Sequence, residues 1–322
     1  MSSSLQQHMW RWHGLDVAWS SQGPVHASAS STTTSTTTST TTSTNTSTAT
    51  VLIHGFGANK DHWRHNQPAL AEVSTCYAID LIGFGGSSQP RARLTDESDH
   101  PDHFSYSFDN WGSQVADFCR EVVKTPVILV GNSIGGVIAL RAAQIINERC
   151  SGVVLINCAQ RTMDDKRLHE QPVVMRWLRP SLKALVRQRW LSRSLFRNAA
   201  NPTVIQQVLK QAYPSGSNVD ESLMNLLQKP AQRPNAAEAF RGFINLFDDY
   251  LAPELMGDLK VPVDLIWGGD DPWEPLEEAQ RWASRLDCIR SLEVINGAGH
   301  CPHDEAPDQV NPLLLKAIQQ AT

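Results

Sequence analysis

The chain has 322 residues, 41% of them apolar, and a formal net charge of −5, a size that suits one large α/β unit carrying an insertion. The mild acidic balance leaves no basic footprint for nucleic acid, and no window reaches the ~18 uninterrupted apolar residues of a membrane-spanning helix. Six scattered cysteines without a CxxC pair (Cys76, Cys119, Cys150, Cys158, Cys288, Cys301) predict reduced thiols and no metal or other cofactor site.

The opening "MSSSLQQHMWRWHG" lacks the basic start and apolar stretch of a secretory signal, which predicts a cytoplasmic protein. From Met9 to Gly23 the sequence alternates around Gly14 and predicts a β-hairpin. The tract from Ser28 to Thr50 is almost entirely Ser and Thr. It cannot bury enough apolar surface to offset its ordering entropy, so it predicts a disordered loop inserted between two strands.

Short β-rich runs follow at Thr50–His54, Thr75–Ile79, Val127–Val130, Val153–Ile156, Val261–Trp267 and Ser291–Ile295. Between most of them lie segments of helical period: Asp109–Val123, Ser133–Ile146, Pro275–Leu286 and Pro307–Gln320. Strands alternating with helices predict a mainly parallel sheet covered on both faces. From Arg161 to about Met256 the alternation stops, and helical pieces punctuated by prolines take over. The expected division is therefore a core of residues 1–160 and 257–322 with a helical lid, 161–256, over the carboxyl ends of the strands.

"VILVGNSIGGVIAL" breaks an apolar strand at Gly131-Asn132-Ser133-Ile134-Gly135 and resumes as a helix. A G-x-S-x-G turn between strand and helix lifts the serine oxygen into the crevice, and the tight bend demands small neighbours. Ser133 could instead merely cap the helix, so its partners must decide. A nucleophilic serine needs a base and an orienting carboxylate, in the chain order Ser, acid, His for this architecture. "VDLIWGG" runs into Asp270 and Asp271, and "SLEVING" runs into His300 and His303, each at a strand's carboxyl end. His300, directly after the Gly-Ala-Gly turn, is the expected base, and His303 is expected at the surface or behind it. In "VLIHGFGANKDHW" the glycines let the Phe56 N–H face the nucleophile beside the Ile134 N–H, an oxyanion hole. His54 is expected to buttress that loop, and Cys301 to be a packed thiol. Trp63, Asn132 and Trp177 are the candidates for lining the substrate pocket.

These stretches resemble the α/β-hydrolase family from Val51 to the C-terminus, the lid apart. "HGFGANKDHWRHN", "YAIDLIGFGGSSQP", "GNSIGG", "LINCAQ", "DDPWEP" and "GHCPHDEAPDQV" are similar to the pheophytinase and chlorophyll dephytylase group. That resemblance implies a triad of Ser133, Asp271 and His300, with Asp271 taking the acid role because the family's acid directly precedes the Pro-Trp pair. It also implies hydrolysis of the phytol ester of a chlorophyll-type pigment, a small lipophilic substrate, without a cofactor. Gly269 stands where the family often has an acidic residue, and the Ser/Thr tract is foreign to its pattern.

Two rival readings stay open. Related motifs occur in hydrolases that cleave carbon–carbon bonds of vinylogous diketone acids, which would need a lid arginine for the substrate carboxylate, with Arg161, Arg176 and Arg187 as candidates. A non-catalytic binding protein of the same fold would be expected to have lost a triad member. Finally, the basic, Trp-bearing lid sequence around Trp177 and Trp190 suits an anionic membrane interface. The expectation is peripheral membrane contact through the lid, at a thylakoid if the substrate is a chlorophyll pigment.

Overall fold

The computed structural model describes residues 3–24 and 48–321. The Ser/Thr tract falls outside the described residues except at its end, where Ala49 and Thr50 already belong to a strand. The sheet has eight strands: β1 (Gln6–Trp12), β2 (Leu15–Gln22), β3 (Ala49–Ile53), β4 (Cys76–Ile79), β5 (Val127–Asn132), β6 (Cys150–Ile156), β7 (Val263–Gly268) and β8 (Ile289–Ile295). Their spatial order is β1-β2-β4-β3-β5-β6-β7-β8. β1, β2 and β4 pair antiparallel, and from β4 onward every pairing is parallel.

The hairpin turns through His13 and Gly14, both at positive φ (45° and 80°), the two-residue geometry that matches strand twist. Along the parallel strands the side chains alternate between two buried faces, as a sheet covered on both sides requires. Val51, Ile53, Leu129 and Leu155 face one layer, packed by helix α1 (Phe108–Phe118) and helix α2 (Ile134–Ile146). Leu52, Ile128, Val130 and Val154 face the other, where Val310, Leu314 and Ile318 of the C-terminal helix (Pro307–Gln320) pack.

Between β6 and β7 there is no strand among the described residues. The chain instead forms the helices α3 (Val173–Val186), α4 (Arg189–Ala199), α5 (Pro202–Ala212), α6 (Glu221–Ala231) and α7 (Ala236–Ile244). None of the described helices is long and apolar enough to cross a membrane.

Candidate active site

Ser133 sits between β5 and α2 at φ 55°, ψ −123°, a strained conformation for a residue with a side chain. The surroundings enforce it. A Cβ on Gly131 would lie 2.2 Å from the Gly135 carbonyl oxygen, and one on Gly135 would lie 2.3 Å from that of Ile53. The backbone is pinned as well: Ser133 N–H donates to Ile156 O (3.0 Å), and its carbonyl accepts from Gly136 and Ala159. The side chain makes no capping hydrogen bond. The helix-cap explanation for this serine therefore fails, and the hydroxyl is left uncommitted at the strand ends.

His300 reaches the same end of the sheet on the loop after β8. Its Nδ1 lies 2.8 Å from Asp271 Oδ2. A carboxylate only accepts, so Nδ1 carries a proton, and in the neutral ring the lone pair lies on Nε2. Asp271 also accepts from Asn157 Nδ2 (2.7 Å) and, through Oδ1, from the Trp273 and Glu274 N–H groups. Burial works to raise this carboxyl, but the His300 hydrogen bond and charge, with the Trp273 and Asn157 donors, hold it below the usual carboxylate range. Asn157 Oδ1 in turn accepts from Gly268 N–H, so one side chain fixes both the strand end and the acid. Asn157 lies in "LINCAQ", and sequence reasoning gave it no role.

Asn132 faces inward. Its Nδ2 donates to the carbonyls of His300 (3.0 Å) and Ile156, tying the residue before the serine to the backbone of the histidine. It is a brace and not a pocket wall. On the other side, a Cβ on Gly55 would come within 3.1 Å of Ser133 Cβ, so the Gly55–Phe56 turn lies against the serine. Among the described residues neither the Phe56 nor the Ile134 N–H has a backbone or side-chain acceptor. His54 supports this turn. Its Nε2 accepts from Leu81 N–H and its Nδ1 lies 2.7 Å from Gly55 O, and burial pushes its pKa down to about 4.

The structure also corrects the readings of Trp63 and Trp177 and decides the place of His303. Trp63 is fully buried among Leu52, Leu70 and Val130, with its ring 4.4 Å from that of His303; it belongs to the core and not to a pocket. Trp177 is 81% exposed on the outer face of α3. His303 is fully buried instead of lying at the surface, because Asn66 fixes its carbonyl and its ring packs against His62 and Trp63.

The pocket wall near the oxyanion turn is aromatic. Phe56 stacks on Phe243 (4.2 Å) and meets Phe84 edge-on. A cavity of about 50 Å³ beside it is lined by Phe56, Phe84, Phe196, Phe240 and Pro230, joining core and insertion. The candidate arginines are engaged elsewhere. Arg161 bonds Asp164 and lies over the Phe108 ring, Arg176 bonds the carbonyls of Gln171 and His169, and Arg187 pairs with Asp96. Cys301 is a buried thiol whose pKa burial drives far up, which removes it as a competing nucleophile. No cluster of ligands for a metal ion exists among the described residues.

A profile described as the "Alpha/beta hydrolase family" matches residues 50–313. The chloroplastic pheophytinase of Arabidopsis thaliana is 28% identical over 83% of this chain and 60% of its own length, so the chain spans less than two thirds of that relative. The human (lyso)-N-acylphosphatidylethanolamine lipase is 24% identical over 82% of this chain and 77% of its own. Among solved structures, a serine hydrolase involved in carbazole degradation superposes with a TM-score of 0.71 at 18% identity, covering 98% of this chain and all of that one; that likeness is one of fold.

Proposed function

The chain belongs to the alpha/beta hydrolase family, and on that premise we propose that it is a serine carboxylester hydrolase acting on a lipophilic ester, the phytyl ester of a chlorophyll-type pigment. The observation that carries this reading is a strained, uncommitted Ser133 whose neighbour Asn132 bonds the backbone of His300, a histidine with Nδ1 held at 2.8 Å by a buried carboxylate.

In this mechanism His300 Nε2 takes the hydroxyl proton as Ser133 Oγ attacks the ester carbonyl carbon. The carbonyl oxygen becomes an oxyanion between the Phe56 and Ile134 N–H groups, each donor contributing roughly 3 kcal/mol by analogy with measured cases. Asp271 fixes the Nδ1–H tautomer and stabilises the imidazolium. Collapse breaks the bond to the alcohol oxygen, which leaves with the proton from His300. Water, deprotonated by the same histidine, then attacks the acyl-enzyme and releases the acid and Ser133.

Similarity to a pheophytinase supports the pigment as substrate, and the Phe56, Phe84, Phe196 and Phe240 wall supports an apolar group next to the reacting carbon. A cavity of about 50 Å³ holds only a few carbons, so the proposal requires residues 161–256 to act as a lid that moves when a phytyl chain enters. Such an ester is embedded in membrane, so the enzyme would work from the aqueous side of a pigment-bearing membrane, a thylakoid in a photosynthetic cell. The pairing of Arg161 with Asp164 and of Arg187 with Asp96, and the exposed position of Arg176, argue against a diketone acid, whose carboxylate would need one of them. The complete triad argues against a non-catalytic scaffold.

The test is incubation of purified protein with detergent-solubilised pheophytin a and chlorophyll a, with released phytol measured by chromatography. The expected result is phytol release that vanishes in Ser133→Ala. Turnover of a short activated ester without phytol release would keep the triad and overturn the pigment assignment.

A further inference from the structure

Helix α3 is amphipathic, but it is packed inside out. Its one fully buried side chain is a cation: Arg179 is 5% exposed and donates to Asp165 and to Met163 O. Lys183, one turn on, pairs with the same Asp165, and both cations lie over the Phe247 ring. The apolar side chains therefore face water. Val173, Val174, Trp177, Leu178, Leu182 and Leu185 are all exposed, at spacings that align them along one side of the helix. Helix α4 repeats the arrangement. Arg189 and Arg193 turn toward the buried Glu238, while Trp190, 67% exposed, and Leu195 are left outside.

A contiguous apolar face of this kind is rare on a protein that stays free in water and marks a surface that something covers. The charge pattern says what. From Gln171 to Val219 the chain carries eight Lys and Arg residues and no Asp or Glu, within a protein of net charge −5. Acids from other segments pair with five of those cations. Arg176, bonded to carbonyls alone, and the exposed Arg197 and Lys210 have no acidic partner among the described residues. Two copies of this face placed against each other would bring the unpaired cations Arg176, Arg197 and Lys210 together with no acid of the 171–219 segment to meet them, which disfavours a symmetric dimer through it.

We propose that the outer face of α3 and α4 docks onto a lipid bilayer containing anionic lipid, with Val174, Trp177, Leu178 and Trp190 entering the headgroup boundary and Arg176 and Arg197 meeting the lipid phosphates. The docked face is linked to the catalytic loop. Arg167, just before α3, donates to Gln160 O, and Gln160 N–H donates to Glu274, three residues beyond Asp271. Docking and catalysis are separate claims, and docking stands whether or not the pigment is the substrate.

The experiment is flotation of the full chain with vesicles of phosphatidylcholine alone and of phosphatidylcholine with phosphatidylglycerol. It compares wild type with the combined variant Val174→Ser, Leu178→Ser, Trp190→Ser and with Arg176→Gln, Arg197→Gln. Melting temperatures confirm that each variant is folded, and sedimentation velocity reports association. The expected result is binding to the mixed vesicles that weakens at least about tenfold in the apolar variant, weakens in the arginine variant, and declines with salt. Failure of wild type to float, or equal flotation of the apolar variant, overturns the proposal. So does a wild-type dimer that the apolar variant dissociates, which would assign the face to a second copy. Turnover of a short soluble ester by wild type, measured alongside, reads the catalytic proposal independently of vesicle binding.

Discussion

At the scale of single residues, the site depends on two carboxyl groups pushed in opposite directions. Asp271 is held ionised by His300 and by three further donors. Replacing it by Asn swaps an acceptor for a donor facing Nδ1 and favours the wrong tautomer. Asp271→Asn is expected to lower kcat for a short ester by about 10⁴, read from steady-state kinetics, with the fold retained. Glu274, beside it, is pushed up to about 8, by burial first and by the Asp271 charge, against the Gln160 N–H. In the folded protein Glu274 therefore keeps its proton to about pH 8, whereas in the unfolded chain it ionises near its ordinary value of ~4.3. The folded state binds the extra proton in that window, so stability falls as pH rises through it and stays lowered above it. Glu274→Gln, neutral at every pH and still an acceptor for Gln160 N–H, is expected to match wild type near about pH 5. At about pH 9 it should melt roughly 2–4 °C higher, the equivalent of about 1 kcal/mol.

At the scale of elements, what could be read from the sequence depended on how local the cause was. The elbow was legible because its requirement is local: glycines two residues either side of the serine, where any Cβ would strike backbone. The hairpin was legible from His13-Gly14 and the alternation around it. The place of Trp63 was not. Trp63 was read toward a pocket, yet its short helical turn packs between β3 and the loop after His300. Helix α3 shows its two faces in the sequence, but which one turns inward is set by Asp165 and Phe247, one of them more than sixty residues further along the chain. The link between insertion and catalytic loop was equally invisible. Ala212 O accepts from His300 N–H, and the Tyr213 hydroxyl joins His62 Nε2 (2.7 Å) to Asp304 Oδ2 (3.0 Å). Tyr213→Phe strands the buried His62 Nε2 and takes one donor from Asp304, which keeps Arg64, and is expected to cost about 1–3 kcal/mol in denaturant unfolding. A fall in kcat/KM is expected with it, because the end of α5 positions His300.

At the scale of the whole molecule, each part of the proposed catalytic site comes from a different strand end: Ser133 after β5, Asp271 after β7, His300 after β8 and Phe56 after β3. Strand order sets them near one another, and the parallel direction of those strands, which the alternation of strands and helices had announced, puts all four ends at the same edge of the sheet. The sequence order Ser, Asp, His was enough to propose three residues that lie at one end of the sheet, whereas their supports, Asn132, Asn157 and Ala212, needed coordinates. On this account any reactivity of Ser133 exists only in the assembled fold. The most direct measurement is exposure of native and urea-unfolded protein to a fluorophosphonate, followed by peptide mass spectrometry. The account predicts one modified serine, Ser133, in the native protein, no modification after unfolding, and strongly slowed labelling in His300→Ala. Labelling of another serine, or labelling of Ser133 that survives unfolding or the loss of His300, would contradict it.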